Sequence, residues 1–147
     1  MDQQNYQCGI AGNFTPGEAF EAIGHVKKWW VRNTEGRSEK LNDVFTVRFP
    51  GETSVTFKVT ESMPGKKIAW LVTDCYLPWL KDKTEWNGTT VVFEISPSGD
   101  ETQVTMTHIG LVPVIECYKG CEAGWNQYFK GSLFKLLTEH AGVPHGI

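Results

Sequence analysis

Apolar and polar positions alternate with a period of two through the middle of the chain, from residue 37 to residue 110. Such alternation in segments rich in β-branched and aromatic residues is typical of strands with one buried face. Short joints containing proline or glycine separate most of the segments, and short joints favour antiparallel neighbours. The sequence therefore predicts antiparallel strands at 43–49, 54–61, 67–73, 88–96 and 102–110, with a weaker strand around 36–41.

One connection in this region, residues 74–87, is long for a hairpin and contains Trp79 and Trp86. Long loops that carry aromatic side chains often have a function, but a loop of this length can also fold over the end of a sheet. Both interpretations remain open.

Helix signals flank the alternating region. After a predicted first strand at 5–14, the segment TPGEAFEAIG begins with a capping box between Thr15 and Glu18 and ends at Gly24. A second short helix or turn follows over 25–33.

A long helix is predicted near the C-terminal end, from about Ile115 to Ala141, where Gly142 and Pro144 stop it. At 1.5 Å per residue it is roughly 40 Å long, enough to cross a whole sheet. A curved antiparallel sheet needs a cover on its concave face, and this helix is the only predicted element able to provide it. The prediction is a single α+β domain over residues 1–147, in which six or seven curved antiparallel strands surround the C-terminal helix.

The predicted helix carries two stripes of side chains. One is bulky and apolar, and consists of Trp125, Phe129, Leu133, Leu136 and Leu137. The other is mostly small, and consists of Cys117, Gly120, Cys121, Gly124, Tyr128 and Gly131. Each glycine inside a helix costs about 1 kcal/mol relative to alanine, so something must compensate. Either the two short helices pack closely on this stripe, or the stripe leaves space for a ligand between helix and sheet.

Composition and charge narrow the class of function. The net charge is −3 and no basic run exceeds two lysines, so the charge pattern of a nucleic-acid-binding protein is missing. No apolar run is long enough to span a membrane and no secretory signal is visible, so we expect a cytoplasmic protein with reduced cysteines. Aromatic residues make up 12% of the chain, including six tryptophans, which predicts either a bulky core or an aromatic cavity.

A metal site is one candidate for the chemistry of the C-terminal part. His108 ends the last predicted strand, and Cys117 and Cys121 lie four apart on one side of the long helix. Structural zinc sites, however, use tighter cysteine pairs and four ligands. The spacing favours buried thiols that behave as small hydrophobic groups, and we expect no metal and no cofactor.

His108 itself shares a strand face with Val104 and Met106, which places it toward the interior. Three roles remain open: a core histidine satisfied by a neighbouring hydrogen bond, a polar group that orients a ligand, or a general acid–base. The sequence supplies no obvious catalytic partner for it.

Several motifs occur in a characteristic order: FTPGEAFEAI, the Trp29–Trp30 pair, VTESMPGKKIAW, GTTVVFEISPSGDETQVTMTHIGL, and Gly124–Trp125 leading into SLFKLL. Together they resemble the START-like helix-grip superfamily, also called SRPBCC, and more narrowly the branch named after the C-terminal domain of the activator of the heat-shock-protein-90 ATPase. NYQCGIAGNF and the 74–87 segment depart from that pattern. The resemblance implies a hydrophobic cavity between sheet and helix, in a superfamily of mostly small-molecule or lipid binders with some cyclases, aromatases and hydrolases.

We therefore expect a binder of a small hydrophobic or aromatic molecule, lipid-like or polyketide-like, without covalent chemistry. The residues expected to contact it are Trp30, Phe57, Trp70, Phe93, Met106, His108, Trp125, Tyr128 and Phe129. Two alternatives stay open: a cyclase- or hydrolase-type enzyme that uses His108 or Tyr128 in the same pocket, and a co-chaperone-like protein-interaction module. No protein partner can be identified from the sequence.

Overall fold

Seven antiparallel strands form one sheet in the computed structural model, which describes residues 5–49, 52–78, 80–81, 83–112, 118–140 and 142. The strands are β1 (Tyr6–Gly12), β2 (Thr34–Gly36), β3 (Val44–Arg48), β4 (Ser54–Met63), β5 (Lys67–Tyr76), β6 (Thr90–Ser98) and β7 (Glu101–Ile109). Their order across the sheet is β1-β7-β6-β5-β4-β3-β2. Neighbours from β2 to β7 are consecutive in the chain, and β1 pairs with the far side of β7.

The helices are α1 (Pro16–Gly24), α2 (Val26–Trp29) and a long C-terminal helix in three stretches. These stretches are α3 (Tyr118–Trp125), a π-helical segment (Asn126–Leu133) and α4 (Phe134–Glu139). The sheet, the two short helices and the long helix confirm the predicted helix-grip arrangement. None of the helices in the described ranges is both long enough and apolar enough to cross a membrane.

The start of α1 is set by the predicted capping box. The Thr15 hydroxyl accepts a hydrogen bond from the Glu18 backbone N–H at 3.0 Å, and the Glu18 carboxylate accepts one from the Thr15 N–H at 2.9 Å. Two of the N–H groups at the helix start are thereby satisfied.

Several predicted boundaries differ from those in the structure. The weak strand lies at Thr34–Gly36 rather than around 36–41, because the Asp43 carboxylate binds the backbone N–H groups of Glu39 and Lys40 and closes a turn there. Strand β5 continues to Tyr76 and β6 begins at Thr90, so the long connection covers residues 77–89 rather than 74–87. The long helix ends at Glu139 rather than Ala141, because the next residue, His140, adopts a left-handed φ of 61°. The predicted helix start at Ile115, and Ala141, Pro144 and Trp79, lie outside the described residues.

The core lies between the sheet and the helices and is dominated by aromatic rings. Trp30, directly after α2, stacks on Trp29 at 6.1 Å and lies parallel to Trp70 of β5 at 6.2 Å between ring centroids. Phe93 of β6 contacts both Trp70 and Phe129 of the π-helical segment. This cluster joins the long helix to the sheet and fixes one side of Trp30 in the core.

Candidate functional site

A cavity of about 460 Å³ lies between the long helix and one end of the sheet. Its described lining consists of Trp30, Phe49, Thr53, Val55, Leu77, Trp86, Gly120, Cys121, Gly124, Trp125 and Tyr128. None of these residues carries a charge. Gly120 is exposed, so the cavity reaches the surface near the beginning of α3.

Three tryptophans from three different parts of the chain form its aromatic walls. Trp30 follows α2, Trp86 belongs to the 77–89 connection, and Trp125 ends α3. The Trp125 ring lies 4.8 Å from that of Trp30 and 6.2 Å from that of Trp86, with which it is nearly parallel at 11°. Phe49, directly after β3, meets Trp30 edge-on at 6.4 Å between ring centroids. Flat indole faces of this kind favour contact with other flat or apolar groups.

The two glycines of the lining leave space rather than allow close packing. A Cβ atom added to Gly120 or Gly124 would meet no heavy atom within 4 Å beyond the helix's own backbone. For these two positions the explanation by packing against the short helices was therefore wrong. Each of these glycines costs the helix about 1 kcal/mol relative to alanine, and the space that it leaves is part of the cavity wall.

His108 is fully buried behind this wall and belongs to a short chain of hydrogen bonds. The Trp125 indole N–H donates to His108 Nδ1 at 3.1 Å, and His108 Nε2 lies 2.9 Å from the Thr89 hydroxyl oxygen. The Thr89 hydroxyl in turn donates to the Trp86 carbonyl at 2.7 Å. Because an indole N–H can only donate, Nδ1 must accept, and the imidazole proton lies on Nε2.

Burial lowers the pKa of His108 to about 3, so its ring is neutral at physiological pH. The unfolded chain binds this proton more readily than the folded one, since the ordinary pKa of histidine is about 6.5. The neutral His108 therefore contributes to the free energy of unfolding; this contribution is fully present above about pH 6.5 and is lost as the pH falls toward 3. A neutral imidazole with both nitrogens engaged matches the first of the three predicted roles, a satisfied core histidine.

The residues predicted from the sequence divide into two groups. Trp30, Trp125 and Tyr128 line the cavity. The others lie in the fully buried core and outside the described lining: Phe57, Trp70, Phe93, Met106, His108 and Phe129. Contact of either group with a ligand stays a prediction.

Eight lining residues were not among the nine predicted contacts. Three of these, Gly120, Cys121 and Gly124, belong to the small stripe of the long helix, for which the sequence left a cavity open as one explanation; the other five are Phe49, Thr53, Val55, Leu77 and Trp86. Two signals were available for them. Val55 lies on the buried face of β4, in phase with Phe57, and continues that face toward the hairpin end. Trp86 is a large aromatic side chain in an unusually long connection, and together with Leu77 it forms part of the cavity wall.

The hypothetical metal site cannot be assembled from the described residues. Cys117 lies outside them, Cys121 lines the cavity, and His108 uses both ring nitrogens in hydrogen bonds. Within the same ranges, no three histidine, cysteine or acidic side chains are placed to share a metal ion.

Comparison with family models gives a match over residues 17–138 to the family described as Activator of Hsp90 ATPase homolog 1-like protein. Comparison with curated proteins gives no match.

Solved structures share the fold over nearly the whole chain. The Aha1 dimer from Colwellia psychrerythraea is 24% identical with a TM-score of 0.71, over 93% of this chain and 96% of that one. Protein MLL2253 from Mesorhizobium loti is 16% identical with a TM-score of 0.68, over 94% and 100%. DynU16, described as a putative protein in the dynemicin biosynthetic locus, is 13% identical with a TM-score of 0.70, over 96% of this chain and 49% of that one. These likenesses confirm the predicted fold.

Proposed function

This chain belongs to the family of Activator of Hsp90 ATPase homolog 1-like proteins, and we propose that it binds a small, uncharged molecule with an aromatic part. The observation that carries the proposal is the cavity of about 460 Å³ with three tryptophan walls and no charge in its described lining. Its volume falls within the range typical of small-molecule sites, roughly 300–1,000 Å³.

The chemistry of the lining defines the ligand class. Burying a charged group without a partner is costly, so the enclosed part of the ligand should be neutral. Stacking on Trp86 and Trp125 favours a flat ring over a saturated chain of equal area. Thr53 and Tyr128 supply hydroxyl groups in the lining that can orient one polar atom of the ligand.

Binding without covalent chemistry fits the titratable groups better than catalysis does. His108 is neutral, lies behind the wall, and has no free nitrogen for proton transfer. Burial raises the pKa of the Tyr128 phenol, so it stays protonated near neutral pH and acts as a donor rather than a base. The likeness to DynU16, a putative protein in a biosynthetic locus, is compatible with a role beside small-molecule metabolism.

The test is a fluorescence titration with N-phenyl-naphthylamine, a neutral aromatic probe, followed by competition with matched neutral and charged naphthalene derivatives. We expect a single site, and displacement by naphthalenemethanol at concentrations at least about tenfold lower than by naphthoate, whose charge opposes burial. At 100 times its dissociation constant, the probe should raise the free energy of unfolding by about 2.7 kcal/mol.

The absence of both probe binding and any thermal shift across neutral aromatics, lipids and long-chain alcohols would overturn the proposal. Turnover of a competitor, seen as product in the same samples, would favour the cyclase- or hydrolase-type alternative.

A further inference from the structure

We propose that His108 is a positioning residue for this cavity: from behind the wall it holds Trp86 and Trp125 in their stacked arrangement, and so sets the affinity for an aromatic ligand. The inference rests on the proposed function, because it takes the cavity as the ligand site. It assigns to His108 a role in binding although the side chain is not part of the described lining.

The imidazole contacts both tryptophans directly. Its centroid lies 4.6 Å from the Trp86 ring at 89° and 6.0 Å from the Trp125 ring at 78°, so both indoles meet it edge to face. The two indoles are nearly parallel to each other and face the cavity. A side chain wedged against both rings fixes their orientation, and with it the shape of the aromatic wall on which a flat ligand would pack.

Hydrogen bonds hold the two walls from opposite sides of the imidazole. Nδ1 accepts from the Trp125 indole N–H and thereby fixes the rotation of that side chain. Nε2 binds the Thr89 hydroxyl, which in turn binds the Trp86 carbonyl and so anchors the backbone of the 77–89 connection. The Thr89 backbone N–H also donates to the Trp86 carbonyl, at 3.0 Å. The long helix and the connection are thereby linked through one ring.

The place of His108 in the sheet explains why this link is rigid. Near the end of β7, His108 is paired with Tyr6 of β1 on one side and with Val91 of β6 on the other. All three of these residues are buried. The ring therefore has no room to rotate, and the two tryptophans are ordered before a ligand arrives. Such preorganisation improves affinity because fewer side chains must be immobilised during binding.

Two substitutions at His108 and one control substitution distinguish a positioning role of this residue from a general effect on stability. His108→Ala removes both hydrogen bonds and both ring contacts, whereas His108→Asn places an acceptor oxygen near the position of Nδ1. Val104→Ala is the control, because Val104 is also fully buried on the same face of β7 but takes no part in these hydrogen bonds. N-phenyl-naphthylamine serves as the probe, and nitrogen-15 NMR reports the His108 tautomer and the Trp125 indole N–H.

We expect His108→Ala to weaken probe binding about tenfold, the factor that follows when two side chains must be ordered on binding. His108→Asn should recover part of this loss and restore the shifted Trp125 indole resonance. Val104→Ala should stay within about twofold of the wild type. In the wild type, His108 should show an unprotonated Nδ1 and a protonated Nε2.

Each contrary result has a distinct meaning. Absence of probe binding to the wild type, together with the absence of any thermal shift with neutral aromatics, lipids and long-chain alcohols, would overturn the proposed function, and the affinity role of His108 with it. Binding to the wild type that His108→Ala weakens no more than Val104→Ala does would overturn the positioning role alone. If His108→Ala does not fold, the positioning role is decided by His108→Asn and by the wild-type tautomer. A protonated Nδ1 in the wild type would overturn this role. So would an Asn variant that binds the probe as tightly as the wild type although its Trp125 indole N–H resonance shows no hydrogen bond.

Discussion

Replacement of Gly124 by leucine should raise stability and strongly weaken ligand binding, two effects of opposite direction from one side chain. A Cβ at this position meets nothing within 4 Å, so the new side chain enters open space in the cavity wall. Leucine in place of a helical glycine gains about 0.5–1 kcal/mol from backbone propensity alone. For a domain of this size that corresponds to a rise in melting temperature of about 1–4 °C.

The loss of binding follows from the space that the leucine occupies. If the ligand gives up contacts equivalent to the side chain's four carbon atoms, at about 0.8 kcal/mol each, it loses about 3 kcal/mol, or about a hundredfold in the dissociation constant. A smaller loss is expected for Gly124→Ala, which adds a single methyl group. Thermal unfolding and titration with N-phenyl-naphthylamine on the same samples measure both effects.

Gly131→Ala is the matched control on the same helix. Gly131 is outside the described cavity lining, and the nearest heavy atom to an added Cβ, the Asn126 carbonyl oxygen, is 4.0 Å away. Gly131→Ala should gain a similar amount of stability from helix propensity, about 1 kcal/mol, and bind the probe with wild-type affinity. A folded Gly124→Leu variant that binds the probe as tightly as Gly131→Ala would refute the placement of the ligand. A loss of more than about 1 kcal/mol in stability would show that the position is packed instead of open.

Three further substitutions test the account of the fold. When the pH falls from about 7.5 to about 5, the wild type should lose about 2 kcal/mol more of its free energy of unfolding than His108→Asn does, because burial depresses the pKa of the folded imidazole. Urea titrations measure both losses, and equal pH slopes for the two proteins would contradict this. Gly36→Ala should destabilise by about 2 kcal/mol or more, since φ is 91° and the added Cβ would overlap the Val44 carbonyl oxygen; wild-type stability in the same assay would argue against the pairing of β2 with β3. Thr15→Ala should lose about 1 kcal/mol by removing the helix cap, whereas Thr15→Ser should retain it; identical melting temperatures for the two would exclude a contribution from the cap.

The sequence predicts the fold well because its signals are local. Alternation along β4 to β7 and the capping box at Thr15 depend on neighbours within a few residues. The π-helical stretch over Asn126–Leu133 has no comparable local signature, and the prediction gave a regular helix there. The weak strand β2 lies earlier than predicted because the Asp43 carboxylate binds the backbone N–H groups of Glu39 and Lys40, a contact that the alternation does not report.

The candidate site was predicted only in part because it depends on distant contacts. The small stripe raised two explanations for Gly120 and Gly124, and only the three-dimensional surroundings distinguish open space from close packing. Alternation along β7 correctly placed His108 toward the interior. Its partners Thr89 and Trp125 are 19 and 17 residues away along the chain, and no period in the sequence reports such pairs.

If the cavity is the ligand site, a crystal structure of the complex with N-phenyl-naphthylamine will show the probe inside it. We expect density for the probe between the long helix and the sheet, with a ring against Trp86 or Trp125 and the edge of the molecule beside Gly124. A cavity filled by side chains, or a probe bound elsewhere on the surface with this cavity empty, would contradict it.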